Sequence, residues 1–319
     1  MEKYNVLITG ASGFIGSHVV RRFLAQGDYH VIAVSRKAAD RTLPTHGIAW
    51  AQGNFFEREF LEQIFTSFSI QAVIHLAALR GAGSGLEKDY KTVNIEGTER
   101  LLEASLTHHV KKFLFCSSVG VYGTIPSELP ATRHTPCNGD NLYHSSKILA
   151  EEKVQQYIQR GLNAYIIRPT ITYGVGDTGF PKTLAELVRT KHFLLSSGDM
   201  KIHLLNVTHF ATLLHAMLGE EGGEQRVYIA ADKEPILLKE LVNIIHQHYY
   251  GTNYPAFLVA PDVVFKVLQI ISRMARNEKW LTRVSLISKS WYYDIRETVQ
   301  HFSYVPANTQ EVFISEMQL

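Results

Sequence analysis

The sequence has little of what marks secreted, membrane-spanning or nucleic-acid-binding proteins. Its 319 residues include two cysteines, and Cys116 stands in an apolar run, so neither it nor Cys137 is expected in a disulfide framework. No stretch approaches the ~20 apolar residues of a spanning helix, and the N-terminus enters strand-like sequence without a signal-peptide core. The formal net charge of +2 is too small to attract nucleic acid or an anionic membrane. We therefore expect a soluble, cytoplasmic protein that acts on small molecules.

Short apolar runs alternate with helix-period segments through the first half of the chain. Strands that alternate with helices of about 10–15 residues imply right-handed βαβ crossovers and a parallel, doubly wound sheet. The predicted fold is therefore Rossmann-type α/β. The predicted strands are residues 5–9, 30–35, 48–54, 71–78, 111–118, 164–169, 201–207 and 226–231, and the predicted helices of this half are residues 14–27, 59–68, 94–109 and 145–160.

The character of the sequence changes after Pro169, where glycine and loop residues gather. We read this part as a smaller, mixed lobe that binds the substrate. The expected division is a dinucleotide-binding domain of residues 1–168 and 202–230 and a substrate-binding lobe of residues 169–201 and 231–319.

The stretch TGASGFIG, which starts at Thr9, lies between a predicted strand and a predicted helix. Gly10 permits a tight turn, Gly13 permits close approach to a pyrophosphate, and Gly16 permits close helix–strand packing. The helix N-terminus supplies unpaired N–H groups and a positive dipole end for phosphates. Spaced glycines also occur in ordinary turns, but this strand–turn–helix context favours a dinucleotide site. The predicted phosphate-binding residues are Gly10, Gly13, Phe14, Ile15 and Gly16.

The end of the second predicted strand bears on the choice between the two nicotinamide cofactors. An acid there would bind the ribose 2′-OH of NAD(H), but this chain has Ser35, Arg36 and Lys37. The planar fork of an arginine can pair with a 2′-phosphate, so NADP(H) is favoured. NAD(H) is still possible, because arginines also begin solvated loops. Asp40 comes too late to restore the NAD pattern.

Tyr143 and Lys147 form a Tyr-x-x-x-Lys pair at the start of a predicted helix. A phenol with a pKa near ~10 is a poor acid or base at neutral pH, so it needs a nearby cation to stabilise the phenolate. A lysine at i+4 can supply that charge directly or through a cofactor ribose. Ser118, at the carboxyl end of another strand, completes a two-donor clamp on a carbonyl oxygen. The set is suited to hydride transfer.

Six motifs follow one another along the chain: TGASGFIG, HLAA, NIEGT, SSVGVYG, YHSSK and IIRPTITYG. Their order and spacing resemble the extended short-chain dehydrogenases/reductases, also called the NAD-dependent epimerase/dehydratase superfamily. The resemblance is strong through about residue 175 and weaker beyond. It implies that Tyr143 is the general acid/base, that Lys147 lowers its pKa and binds the nicotinamide ribose, and that Ser118 hydrogen-bonds the reacting oxygen.

The same resemblance implies further cofactor contacts and a quaternary state. Asn54 would replace the family's usual Asp against the adenine, and Pro169 would begin the segment beside the nicotinamide. The helices at residues 94–109 and 145–160 resemble those through which family members form homodimers. The remaining residues of the predicted cofactor set are Ser35, Arg36, Phe55, Ala77 and Ala78.

Departures from the family pattern bear on the substrate. The family's 4,6-dehydratases carry Asp-Glu just after the strand-end hydroxyl, where this chain has Val119 and Gly120. Members that act on nucleotide sugars carry an Asn after Arg-Pro and an Arg before a late Val-Asp-Asp. This chain has Ile171 and Ile202 there, although Lys201 could take over a phosphate. The pattern is closest to dihydroflavonol-reductase and hydroxysteroid-dehydrogenase-like members.

Two features of the later sequence admit alternatives. The apolar residues Phe265, Leu268, Ile271 and Met274 could form a membrane-surface face or pack within the protein. A set of aromatic residues could line an apolar pocket or belong to the core: Tyr249, Tyr250, Tyr254, Phe257, Phe265 and Trp280. The fifteen histidines lack ligand spacing, so no metal site is expected, and His144 is expected to point away from Tyr143.

Three functions are consistent with these observations. The leading hypothesis is an NADP(H)-dependent oxidoreductase that interconverts a ketone and a secondary alcohol, with Tyr143 as general acid/base. The second keeps the same site but retains the cofactor, which gives a nucleotide-sugar 4-epimerase. The third is an NADPH-sensing binding protein without turnover. No nucleic-acid partner is expected.

Overall fold

The computed structural model describes residues 4–36, 46–80 and 86–319. The strands are β1 Tyr4–Thr9, β2 Tyr29–Ser35, β3 Ile48–Gln52, β4 Ile70–His75, β5 Lys112–Cys116, β6 Ala164–Pro169, β7 Ile171–Tyr173, β8 Leu195–Ser196, β9 Lys201–Ile202, β10 Leu204–Asn206, β11 Val227–Ala230, β12 Ile236–Leu237 and β13 Val259–Ala260. The helices are α1 Phe14–Gln26, α2 Arg58–Ser67, α3 Glu87–Tyr90, α4 Gly97–Thr107, α5 Leu142–Gln159, α6 Phe180–Arg189, α7 Val207–Gly219, α8 Leu238–Tyr250, α9 Asp262–Met274, α10 Glu278–Ser288, α11 Arg296–His301 and α12 Thr309–Met317. A π-helical segment, Lys91–Glu96, joins α3 to α4, and short 3-10 helices occupy Val119–Tyr122 and Ala256–Leu258.

A seven-stranded parallel sheet lies at the centre, in the order β11-β6-β5-β4-β1-β2-β3. Its strands are apolar along most of their length because separate clusters of buried side chains cover the two faces. The Rossmann-type fold predicted from the sequence is therefore confirmed. The strand order reverses between β1 and β4, and in open α/β sheets ligands bind beyond the carboxyl ends of the strands at such a point.

The prediction of a single strand over residues 201–207 is wrong. It divides at His203 into β9, which pairs antiparallel with β12, and β10, which pairs parallel with β7. The buried His203 ring explains the break, because its Nε2 donates a 2.7 Å hydrogen bond to the carbonyl oxygen of Asp232. Burial lowers the pKa of His203 to about 4, so the ring is neutral at this junction.

The C-terminal part packs on the carboxyl-end side of the sheet around its own cluster of buried apolar residues. Three longer helices here, α6, α10 and α12, were not predicted from the sequence. Both cysteines are free, Cys116 being buried and Cys137 exposed. Within the described ranges, no helix combines the length and the apolar character needed to cross a membrane.

Candidate active site

The glycine loop after β1 brings two backbone segments into contact. Gly10 has a φ of 70°, and a Cβ there would lie 2.8 Å from the backbone nitrogen of Ala77. A Cβ on Gly16 would lie 2.1 Å from the carbonyl oxygen of Gly10, so this helix can only start so close to the loop with glycine. Helix α1 begins after Gly13 with no side-chain cap and no acid in its first turn. Its N-terminal amides therefore suit an anionic group.

A chain of buried hydrogen bonds supports this loop from behind. Thr9 Oγ1 lies 2.6 Å from His75 Nδ1, and His75 Nε2 lies 2.9 Å from Thr98 Oγ1. Thr98 in turn donates to the carbonyl oxygen of Asn94 at 2.7 Å, and the Ala77 amide donates to Thr9 Oγ1 at 3.2 Å. Burial holds the pKa of His75 well below its usual value, and the charge of Lys147 lowers it further. A neutral ring thus joins the ends of β1 and β4.

Asn94 links the segment after β4 to helix α5. Its side-chain oxygen accepts from the Leu79 amide at 2.7 Å, while Nδ2 donates to the Leu79 carbonyl at 3.0 Å and to Ser146 Oγ at 2.9 Å. Asn94 lies in the π-helical segment, a deformation that occurs frequently at functional sites. The sequence analysis placed Asn94 in a family motif but did not predict it as a site residue. A polar residue inside a predicted amphipathic helix was the signal that could have identified it.

Ser118 and Tyr143 face each other across the end of β5. Ser118 begins the 3-10 turn, where its Oγ accepts a 3.0 Å hydrogen bond from the Gly120 amide. Tyr143 lies in the first turn of α5 and is hydrogen-bonded to Ser118. Burial raises the pKa of Tyr143 to about 12, and the Cys116 thiol acts in the same direction. The positive charge of Arg80 and the bond with Ser118 oppose this increase.

Lys147 lies one turn further along α5, buried beneath Tyr143. Its ammonium donates a 2.8 Å hydrogen bond to the carbonyl oxygen of Cys116 and lies 4.7 Å from the ring centroid of Phe115. Burial lowers the pKa of Lys147 to about 8, although Cys116 and Glu151 favour its charged form. Among the described residues it makes no hydrogen bond with Tyr143, so in this structure the cation that lowers the phenol pKa is Arg80.

A buried ion pair fixes the frame behind these residues. Arg168, in β6, donates to Glu151 of α5 through Nε at 2.9 Å and to the Tyr122 hydroxyl through Nη1 at 2.8 Å. Ser117 Oγ also donates to Glu151, at 2.5 Å. Burial opposes the charge of Arg168, but its bonds with Glu151 hold its pKa above the usual value. The network joins β5, β6 and α5 immediately beside the site.

A cleft of about 470 Å³ opens between these elements and the C-terminal part. It brings together most of the residues predicted for catalysis and cofactor binding: Gly10, Gly13, Phe14, Ile15, Gly16, Ala78, Ser118, Tyr143, Lys147 and Pro169. The sequence did not identify a second group that also lines the cleft: Arg80, Thr124, Thr172, Asp177, Phe180, Leu286, Trp291 and Tyr293.

The C-terminal aromatic residues proposed for a pocket do not line this cleft. Tyr254 and Phe265 are buried in the protein, whereas Tyr250, Phe257 and Trp280 are exposed. The aromatic side chains that line the cleft from this part of the chain are Trp291 and Tyr293, which follow α10.

His144 belongs to the cleft, and the expectation that it would point away is wrong. A Cβ on Gly120 would lie 2.4 Å from His144 Cδ2, so the ring fills the space that this glycine leaves. His144 Nδ1 lies 2.5 Å from Asp140 Oδ1. Burial alone would raise the pKa of Asp140, but hydrogen bonds from His144 and Thr124 lower it to about 2. An imidazole oriented by a carboxylate therefore stands next to Tyr143.

The other predicted cofactor residues lie outside the cleft. Ser35 Oγ is 2.7 Å from Ser12 Oγ of the glycine loop, and Arg36 is exposed at the end of β2. The Asn54 amide donates to Glu57 at 2.6 Å, and the Phe55 ring packs 4.9 Å from the His75 ring. Lys37 and Asp40, which follow Arg36 in the sequence, fall outside the described residues.

The positions that departed from the nucleotide-sugar pattern are also separated. Ile171 lines the cleft, whereas Ile202 is fully buried in the core. Lys201 is exposed, with its ammonium 5.9 Å from the Tyr292 ring centroid, and does not line the cleft. The cleft is instead lined by the cationic side chain of Arg80, whose guanidinium lies beside Gly179.

Comparison with known proteins decides the family. A family model described as "NAD dependent epimerase/dehydratase family" matches residues 6–231. The chain belongs to this family. Human UDP-glucose 4-epimerase is 33% identical in an alignment of 195 residues that covers 54% of this chain and 56% of that protein. UDP-glucose 4-epimerase 2 of Arabidopsis thaliana is 35% identical in an alignment of 161 residues that covers 46% of this chain and 45% of that protein. This member of the family thus spans about half the length of the curated relatives it matches.

Solved structures of the family share the fold over nearly the whole chain. The UDP-glucose 4-epimerase of Thermotoga maritima, solved with UDP-glucose, has a TM-score of 0.77 at 22% identity and covers 98% of this chain and 97% of its own. The Bordetella bronchiseptica enzyme WbmG, solved with NAD and UDP, has a TM-score of 0.77 at 20% identity and covers 99% and 93%. The expected likeness to dihydroflavonol-reductase or hydroxysteroid-dehydrogenase members is not confirmed.

Proposed function

We propose that this protein is a nucleotide-sugar 4-epimerase that retains a nicotinamide dinucleotide through its cycle. The observation that carries the proposal is the placement of Ser118, Tyr143 and Lys147 on the same cleft as the open N-terminus of α1. The relatives at 33–35% identity that are named UDP-glucose 4-epimerases support the substrate class. This replaces net ketone reduction as the leading function.

The residues present fit a dinucleotide. The loop of Gly10 and Gly13, with its close backbone approach and uncapped helix, would hold the pyrophosphate. Lys147 and Pro169 would hold the nicotinamide end, and Ala78 would lie along the cofactor. A dinucleotide held there would supply reversible hydride-transfer chemistry at a sugar carbon.

The side chains would hold and move the hydroxyl proton. Tyr143 would take the proton of the substrate hydroxyl, while Ser118 would hold the same oxygen. The pKa of about 12 already includes the opposing charge of Arg80, so the phenol would need further positive charge, such as that of an oxidised nicotinamide ring, to act as a base. A diphosphate close to Arg80 would find a cation there in place of the arginine missing at Ile202.

The choice of cofactor rests on the end of β2. Arg36 is exposed where an acid would bind the ribose of NAD(H), which supports NADP(H). The solved relatives named above were determined with NAD or a UDP-sugar, which keeps NAD(H) as the alternative.

The direct test is redox-neutral conversion of UDP-glucose. Purified protein, supplied with no cofactor, is incubated with UDP-glucose, and the sugar products are resolved by NMR. We expect UDP-galactose to form and a dinucleotide to be released only when the protein is denatured. Release of one reduced cofactor per turnover, or no conversion by dinucleotide-loaded protein, would contradict the proposal.

A second candidate is favoured by apolar side chains that line the cleft. Ile171, Leu286 and Trp291 are among them, and the Asn and Arg expected of members that act on nucleotide sugars are missing at Ile171 and near Ile202. These side chains suit a hydrophobic ketone reduced with NADPH. Stoichiometric oxidation of NADPH by a panel of apolar ketones, without epimerisation of UDP-sugars, would favour this candidate.

A further inference from the structure

The outward face of α9 carries a stripe of apolar side chains. All of its side chains are exposed, and Met274 is exposed to 80%. They recur at the spacing of one helix face: Val263, Val267, Ile270, Ile271 and Met274. Phe257 precedes the helix, 82% exposed, and Trp280 follows it on α10, also exposed. We call the five exposed apolar residues of α9 the apolar stripe, with Phe257 and Trp280 flanking it in the sequence.

The inward face of the same helix is partly polar. Gln269 and Ser272 are buried there beside Phe265, and Gln269 Nε2 donates to Ser288 Oγ of α10 at 2.8 Å. Asp262 fastens the helix N-terminus by accepting from the Gly198 amide at 3.1 Å. A surface helix usually buries its apolar side chains, but α9 buries Phe265 and partly buries Val264 and Leu268 while five further apolar side chains stay exposed. Packing within the protein therefore does not account for the apolar stripe.

Basic residues border the stripe. Lys266 and Arg273 are exposed and project along one flank of the apolar face of α9. Arg276, Lys279 and Arg283 follow and are exposed as well. Asp262, the acid of α9, is engaged inward with Ser196 and Gly198. A second copy of the same face would bring like charges together, whereas anionic lipid headgroups would neutralise them.

We propose that the apolar stripe and its basic border dock on the surface of an anionic lipid bilayer, with α9 lying in the plane of the headgroups. An apolar face with aromatic residues and a basic border is what interfacial helices use. Since no described helix can span the bilayer, contact would be limited to its surface. Thr282 and Leu286 of the adjoining α10 line the cleft, so docking would bring the cleft close to the membrane.

The test is cosedimentation of the full chain with vesicles. We expect pelleting with equimolar phosphatidylglycerol and phosphatidylcholine, little pelleting with phosphatidylcholine alone, and weaker binding as salt rises. The double variant Ile271→Glu/Met274→Glu should bind the vesicles at least about tenfold more weakly than wild type. Both positions are exposed, so folding should persist. The matched control is Val305→Glu, an exposed apolar residue outside the stripe, which should bind like wild type.

Fluorescence gives a second readout. Binding should shift the emission of Trp280 to the blue, and Trp280→Phe should remove that shift. Absence of pelleting by wild-type protein, or equal pelleting by the double variant, would overturn the proposal. So would a dimer that the double variant dissociates without any vesicle binding, since the stripe would then belong to a second copy. These measurements need no turnover and are independent of the proposed epimerase activity.

Discussion

The Lys147 ammonium donates a 2.8 Å hydrogen bond to the carbonyl oxygen of Cys116. The lysine of the Tyr-x-x-x-Lys pair therefore also fastens α5 to the end of β5, next to Ser118. A buried cation with one such partner is costly, which is why its pKa falls to about 8.

This lowered pKa makes stability depend on pH in a defined direction. Between about pH 8 and the usual lysine pKa of 10.5, the unfolded chain binds more protons than the folded one, so stability rises with pH. Relative to Lys147→Met, the wild-type protein should gain on the order of 3 kcal/mol across this window. Urea denaturation at several pH values measures the difference. Cys116 titrates in both proteins with the opposite slope and largely cancels, and parallel curves would contradict the prediction.

Tyr143→Phe should reduce turnover by about a hundredfold to ten-thousandfold, because it removes the group that we propose exchanges the substrate proton. Cofactor affinity should change little, since the ring and its packing remain. Steady-state kinetics and the amount of dinucleotide released on denaturation separate the two effects. Tyr250→Phe, which removes a hydroxyl bonded to the Arg189 carbonyl at an exposed residue that does not line the cleft, is the matched control. Unchanged turnover in Tyr143→Phe would exclude its role as acid/base.

Gly120→Ala should destabilise the protein by about 1–3 kcal/mol, because its Cβ would meet the His144 ring at 2.4 Å. In a His144→Ala background the same substitution should cost much less. A double-mutant cycle by urea denaturation measures this coupling. Gly219→Ala is the control, since a Cβ there meets nothing within 4 Å. Equal costs of Gly120→Ala in both backgrounds would show that the ring is elsewhere.

Glu151→Gln should lower the free energy of unfolding by about 3–5 kcal/mol, since it leaves the buried Arg168 charge without its partner. Glu186→Gln removes an exposed partner of Arg189 and should leave the denaturation midpoint nearly unchanged. Similar midpoints for the two variants would indicate that Arg168 finds another counter-charge.

Arg36→Ala should weaken binding of NADP⁺ by about tenfold to a hundredfold while leaving NAD⁺ binding nearly unchanged, because a charge-assisted bond to the 2′-phosphate is lost. The amounts of NADP and NAD released from the denatured variant and wild-type proteins measure the change. Arg58→Ala, at an exposed arginine that begins α2, controls for a general loss of positive charge. An equal loss for both cofactors would remove the basis for NADP(H) preference.

Periodicity was enough to predict the sheet, and motif order was enough to predict the family. The strands β1 to β6 are continuous apolar runs between amphipathic helices, so local pattern and global fold agree. Helix α6 also had a signal that the prediction missed, since Pro181, Leu184, Ala185 and Val188 recur at helical spacing.

Other parts of the site depend on contacts between distant residues. The orientation of His144 depends on the absence of a side chain at Gly120, which no helical pattern reveals. The strand at residues 201–207 divides because His203 bonds to Asp232, a residue of a later loop. Trp291 and Leu286 enter the cleft from the far end of the chain, where the sequence offered several aromatic residues of equal standing.

The three hydrogen bonds made by the Asn94 side chain have a consequence for how the cleft can move. Because one amide clasps both Leu79 and Ser146, the segment that carries Arg80 and the helix that carries Tyr143 must shift as one body. The side of the cleft formed by these two segments is thereby the rigid side. Any widening that admits a substrate or releases a product has to come from movement of the opposite side of the cleft, which includes Leu286 and Trp291.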